Sequence, residues 1–140
     1  MSRTKETTYL VPEINITITS AWVNLITYCQ ANLPYGNLFI EINNGEPRRK
    51  VKEVPSIRFD KNDVPRDKDE KIYVIQSLDI RIPESWINMI NWVQSYFVSG
   101  RLGFKLIAAR PTELIEAVQK ANFSKPETIP NGVPLNFDRN

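Results

Sequence analysis

Histidine is absent from this sequence, and cysteine occurs once, at Cys29. Without an imidazole or a second thiol, a single chain cannot assemble a Ser-His-Asp or Cys-His constellation, a Cys/His zinc cluster or an internal disulfide. Any catalysis would rest on carboxylates, lysines, tyrosines or serines, and no motif arranges those for chemistry. The sequence therefore predicts a non-enzymatic protein, with no catalytic residue, metal ligand or cofactor to assign. Long apolar runs are also missing: none approaches membrane-spanning length, and the opening MSRTKETTYL has no apolar signal core. A cytoplasmic location without a membrane partner is the expectation, which makes the sequons Asn15-Ile16-Thr17 and Asn122-Phe123-Ser124 coincidences. Net charge is only +2, too small by itself to imply a polyanionic partner.

What the sequence does hold is a repeat. The stretch WVNLITYCQANLPYG, from Trp22 to Gly36, returns as WINMINWVQSYFVSG, from Trp86 to Gly100, at an offset of 64 residues. The same offset pairs Tyr9 with Tyr73, Ile16 with Ile80, Ile18 with Ile82, Leu38 with Leu102 and Pro47 with Pro111. Ten of the 39 positions in Tyr9–Pro47 are identical, where ordinary residue usage would give roughly two or three. This reads as a tandem duplication, with repeat 1 over residues 8–59, a charged linker over 60–71, repeat 2 over 72–123 and an extended tail over 124–140. At 140 residues the chain suits one ordinary core, so the two units are expected to share it.

Within each unit the apolar spacing predicts strand, helix, strand. From Tyr9 to Ile18 the residues Ile14, Ile16 and Ile18 alternate with polar ones, as Leu78, Ile80 and Ile82 do in the second unit, the period of a strand with one buried face. Thr19 or Ser20 is placed to cap the first helix, and Pro83 and Glu84 suit the first turn of the second. Trp22, Leu25, Ile26, Cys29 and Leu33 then recur at helical spacing, matched by Trp86, Met89, Ile90, Val93 and Phe97. These are core stripes, with the tryptophans as packing anchors and Cys29 as a buried, inert thiol. Gly36 and Gly100 read as left-handed helix ends. Strands follow with Leu38, Ile40 and Ile42, and with Leu102, Phe104 and Leu106, facing inward, and Asn44-Gly45 signals a hairpin. Beyond it the units diverge: Arg48–Phe59 reads as an irregular strand, Thr112–Ala121 as a helix, because Leu114, Ile115 and Val118 fall at helical spacing. The predicted fold is α+β, two strand-helix-strand units about a pseudo-two-fold, with a mostly antiparallel sheet of about five or six strands and both helices on one face.

Over Trp22–Phe59 the order of features, a Trp-led helix, Tyr35-Gly36, an alternating strand, a turn at Gly45, a second strand and Arg58-Phe59, resembles the YezD-like family of small bacterial proteins. That resemblance implies a helix followed by a hairpin and no activity. The junction Leu78-x-Ile80-x-Ile82-Pro83-x-x-Trp86 is similar to the one in PC4-like and whirly-type single-stranded-DNA-binding domains, which implies an open sheet face available to a nucleic-acid strand.

Two surfaces stand out as candidate sites. Beside the core stripes run Asn24 and Tyr28 in the first helix and Asn88, Trp92 and Tyr96 in the second, aromatics flanked by amides of the kind found at subunit contacts. Arg48, Arg49 and Lys50, with Lys52, Arg58 and an outward Phe39, form a basic cluster suited to phosphates and a stacked base, or equally to a charge-guarded sheet edge. The expected function is a protein-assembly or accessory subunit that binds itself or another protein through the helix face. Single-stranded nucleic-acid binding through the basic hairpin is the alternative, and a small-ligand sponge or sensor at the pseudo-symmetry axis is the third reading.

Overall fold

A computed structural model describes residues 8–57 and 70–120 and the backbone of Val133–Pro134. Strands β1 (Thr8–Val11) and β2 (Ile16–Thr19) form a hairpin that leads into helix α1 (Ser20–Asn32), followed by β3 (Gly36–Asn43) and β4 (Glu46–Pro55). The same order returns as β5 (Ile72–Ile75), β6 (Ile80–Pro83), α2 (Glu84–Trp92) with a π-helical turn at Val93–Phe97, β7 (Gly100–Ile107) and β8 (Arg110–Gln119). Every strand of the second series begins 64 residues after its counterpart. Among the described residues no helix is long and apolar enough to cross a membrane.

The fold is α+β with antiparallel pairing throughout. Five strands form one sheet in the order β4-β3-β7-β8-β9, where β9 is Val133–Pro134, and each N-terminal hairpin stays a separate two-stranded ribbon. The seam of the large sheet is β3 against β7. Its register runs from Gly36↔Leu106 to Ile42↔Gly100 and is centred on Phe39↔Gly103, two positions 64 apart. At that centre the Phe39 ring lies where a Cβ on residue 103 would have to go, so the seam accepts one aromatic because its partner is glycine.

One face of this sheet is the floor of the core. Leu38, Ile40, Ile42, Leu102, Phe104 and Leu106 are all buried, together with Trp22, Ile26, Cys29 and Leu33 from α1 and Trp86, Met89, Ile90, Val93 and Phe97 from α2 or the turn after it. Trp22 and Trp86 are both completely buried, as anchors must be. Each indole N–H donates to a hairpin carbonyl at 2.9 Å, Trp22 to Gly45 and Trp86 to Ala109, so the buried polar tip is satisfied and the turn is tied to the helix. Truncating such a residue to alanine costs about 3–5 kcal/mol. Val23 and Ile87 are buried as well, whereas Leu25, assigned to the core stripe from its spacing, is only half-buried. The helices are covered more broadly than one stripe because β1–β2 and β5–β6, which touch each other through β1 and β5, add their own apolar residues, among them Val11, Ile18, Ile75 and Ile82.

Four local expectations are corrected. The run from Tyr9 to Ile18 is a hairpin, not one strand: Ile14 lies in the turn, where Asn15 has φ 56°, and Leu78 lies in the corresponding turn, 39% exposed, beside Asp79 at φ 55°. Thr19 occupies the N-cap position of α1 without a side-chain cap bond, and Ser20 is already helical. The helix start that is capped by a side chain is α2, whose Ser85 N–H donates to the Glu70 carboxylate at 2.8 Å. Gly36 and Gly100 open β3 and β7 with φ 144° and 147°, outside the left-handed helical well. They are glycine because a Cβ would strike the backbone carbonyl of Val54 or Val118.

The fourth correction is the largest. Thr112–Gln119 belongs to strand β8, not to a helix, and pairs with β7 along its whole length. Two bulges explain the misleading spacing. Between Glu116 and Leu114 and again between Glu113 and Pro111 the register skips one residue of β8, so the buried positions Pro111, Leu114 and Ala117 come three apart rather than two. The pairing of β3 with β4 has its irregularities at the same places, skipping Val51 and Arg48. Ala121, like the 124–140 tail apart from β9, lies outside the described residues, as do Arg58 and most of the predicted linker.

Candidate functional site

The paired bulges decide which side chains of β4 meet α1. By the register that places Pro111, Leu114 and Ala117 on the helix side of β8, the helix-side positions of β4 are Pro47, Lys50 and Glu53, opposite Ile42, Ile40 and Leu38. Apolar residues thus fill this space in the second half, and an ion pair occupies it in the first. The helix residues at the equivalent position differ in the same sense, Tyr28 in α1 and Trp92 in α2, again 64 residues apart.

Tyr28, Lys50 and Glu53 form a closed triad. The Tyr28 hydroxyl donates to Glu53 Oε1 at 2.5 Å, and Lys50 Nζ donates to the Tyr28 oxygen and to Glu53 Oε1, each at 3.2 Å. The ammonium also lies 5.3 Å from the centre of the Tyr28 ring. These bonds hold the Glu53 carboxyl below the usual carboxylate range, Tyr28 first and Lys50 after it, and hold Lys50 above its ordinary value, Tyr28 first and Glu53 second. Under the triad sits Cys29, whose thiol is pushed up to about 12 by burial and, secondarily, by the charge of Glu53. A thiol so far from ionising is no nucleophile at neutral pH.

Beside the triad, between α1 and the β3–β4 hairpin, opens a cleft of about 340 Å³. Its apolar walls are Leu25, Leu38, Ile40 and Pro47, and its polar ones Asn24, Tyr28 and the cations Arg48, Arg49 and Lys50. In the second half the corresponding positions carry Met89, Leu102, Phe104, Pro111, Trp92 and Leu114. Met89, Leu102, Phe104 and Leu114 are all buried there, and Trp92 stacks on Phe97 with ring centres 5.3 Å apart. The two expected surfaces thus meet in part. Asn24 and Tyr28, expected at a protein contact, line the same cleft as Arg48, Arg49 and Lys50, expected at a nucleic acid.

The remaining candidates are not brought together. Asn88 is half-buried on α2. Trp92 is half-buried against its neighbours, and of the five assigned interface side chains Tyr96 is the large aromatic that stays 47% exposed. The basic residues divide between the two faces of the sheet. Lys50 is in the triad, whereas Arg49 pairs with Glu41 at 2.8 Å and Lys52 lies 4.8 Å from the centre of the Phe39 ring, both on the face away from the helices. Phe39 faces outward as expected, but it is half-buried over Gly103 with that lysine beside it, which leaves a poor platform for a base. Glu53 was missed. Its signal was a charge standing, at offset 64, where the other unit has alanine. No protein-family model, curated protein or solved structure matches the chain.

Proposed function

We propose that this protein is a non-enzymatic binding module built by tandem duplication, in which the second unit serves as scaffold and the cleft between α1 and β4 of the first is the ligand site. The observation that carries this reading is the contrast at equivalent positions: Leu114 and Ala117 close the space in one half, while Lys50 and Glu53 with Tyr28 leave it open in the other. An exposed ion pair contributes little to stability, about 0–1 kcal/mol, whereas a buried leucine contributes about 1.5–3 kcal/mol. Retaining the polar set where a leucine fits is the pattern of a site kept for binding at some cost to stability. Size supports a small ligand, since the cleft lies at the lower end of the range for small-molecule pockets.

The rival reading is that inward charges on β4 guard a sheet edge against pairing with other chains. One double variant, Lys50→Leu/Glu53→Ala, separates the two. The expected result is an unfolding midpoint at higher urea, an unchanged solution mass, and loss of the benzyl-alcohol-induced NMR shifts that the wild type shows at Ala21, Leu25 and Ile40. An increase in mass, or a wild type whose cleft amides do not respond to benzyl alcohol, overturns the ligand-site reading.

A further inference from the structure

The chemistry of the lining goes further and names a class of ligand. We infer that the α1–β4 cleft takes a small amphipathic monoanion, a carboxylate carrying a compact aromatic or branched apolar group; the inference rests on the cleft being a ligand site. Three observations support it. First, the lining residues include Arg48, Arg49 and Lys50, and the one carboxylate bonded to them from the helix side is Glu53, on Lys50. Arg49 is bonded to Glu41 on the other face, and Arg48, whose charge also acts on Glu41, makes no hydrogen bond or ion pair of its own among the described residues and lines the cleft as its remaining cation. An open cleft with that balance attracts anions and repels cations.

Second, the cleft already displays how it holds a carboxylate. Glu53 accepts from the Tyr28 hydroxyl and from Lys50 Nζ; Tyr28 has one O–H to give, so a ligand carboxylate receives it only by displacing Glu53, whereas Lys50 has a third N–H to offer. Arg48 is the additional cation on that side. Glu53 is therefore a tethered competitor, and the site binds more tightly when its charge is removed. Third, the polar donors stand beside apolar residues of the same cleft, the half-buried Leu25 and Pro47 above the buried Leu38 and Ile40. A purely ionic ligand such as acetate leaves the accessible parts of Leu25 and Pro47 in water, so affinity depends on an attached apolar group; each buried methylene adds about 0.8 kcal/mol.

Three probes of similar shape and different charge test this: phenylacetate, phenylacetamide and protonated phenethylamine, titrated into the full chain and followed by amide shifts of Asn24, Tyr28, Ile40 and Lys50. Phenylacetate is expected to bind at least threefold more tightly than phenylacetamide and phenethylammonium least tightly, with acetate alone giving no saturable shift. Arg48→Gln should weaken phenylacetate at least threefold and leave phenylacetamide unchanged. Glu53→Gln, which keeps the shape and removes the charge, should tighten phenylacetate. If phenylacetamide binds as well as phenylacetate, or phenethylammonium binds better, the anion assignment is overturned while the cleft remains a ligand site. If none of the three moves the cleft amides, both the assignment and the ligand-site reading fall.

Discussion

Lys50 and Glu53 show how far single residues were legible. Arg48, Arg49 and Lys50 were marked by their charge and Asn24 and Tyr28 by their place beside the core stripe, yet nothing in the spacing joined the two sets. Joining them needs the register of β4, and the register contains two skipped residues that no alternation pattern reveals. The triad also makes a testable statement about pH. The folded-state value of Glu53 is depressed, so its contribution is complete above the unfolded carboxylate value, about 4.3, and is lost as pH falls through the folded value. The value of Lys50 is raised, so its contribution is complete below the unfolded lysine value, about 10.4, and is lost as pH rises through the folded one. The triad therefore supports the fold between about pH 4 and 10. Urea melts at pH 3, 7 and 11 should show the stability advantage of Lys50→Leu/Glu53→Ala smallest at pH 7 and larger at both extremes. An advantage independent of pH would mean that the three groups do not interact in solution.

At the scale of elements, what could be read from the sequence was what repeats with a clean period. Both helices, the inward faces of β3 and β7 and the Asn44-Gly45 turn follow their patterns because one side of each is buried by one neighbour. The failures fall where the period breaks. Pro12 and Asn15 interrupt the first apparent strand with a turn, and the bulges of β8 stretch its inward spacing from two to three, which imitates a helix. The turn joining β7 to β8 shows the same loss of signal. Asn44-Gly45 has φ of 56° and 77°, and Ala108-Ala109 takes 53° and 63° at the corresponding place, although alanine gives no sign of a hairpin turn. Residues with a Cβ pay about 1–2 kcal/mol in that conformation, asparagine less and glycine nothing. Replacing Ala108-Ala109 by Asn-Gly should therefore raise unfolding free energy by about 1 kcal/mol, with the Trp86 N–H still bonded to the turn carbonyl. A calorimetric scan in which the variant melts at or below the wild-type temperature would mean that the alanine side chains contribute more by packing than their backbone costs.

For the molecule as a whole, the seam between β3 and β7 decides how the halves depend on each other. It lies at the centre of the large sheet, above the shared core, and two reciprocal backbone bonds frame it, Gly45 N–H to the Val98 carbonyl at 2.7 Å and Ala109 N–H to the Pro34 carbonyl at 2.8 Å. A half on its own loses these bonds, leaves a long sheet edge open and is too short to bury a sufficient core. Residues 1–63 and 64–140 produced separately should each lack a cooperative urea transition, and an equimolar mixture should recover the wild-type near-ultraviolet circular dichroism. The mixture should also be selective. Two first halves paired through β3 would set Phe39 against Phe39 at the centre of the register, and two second halves would set Gly103 against Gly103. Only the mixed pair places one ring over one glycine. Native mass spectrometry of the mixture should show the 1:1 heterodimer in excess over either homodimer, and Gly103→Ala in the second fragment should reduce that excess, because the new methyl group meets the Phe39 ring. A cooperative, monomeric transition in either fragment alone would show instead that the units fold independently and that the seam joins two finished domains.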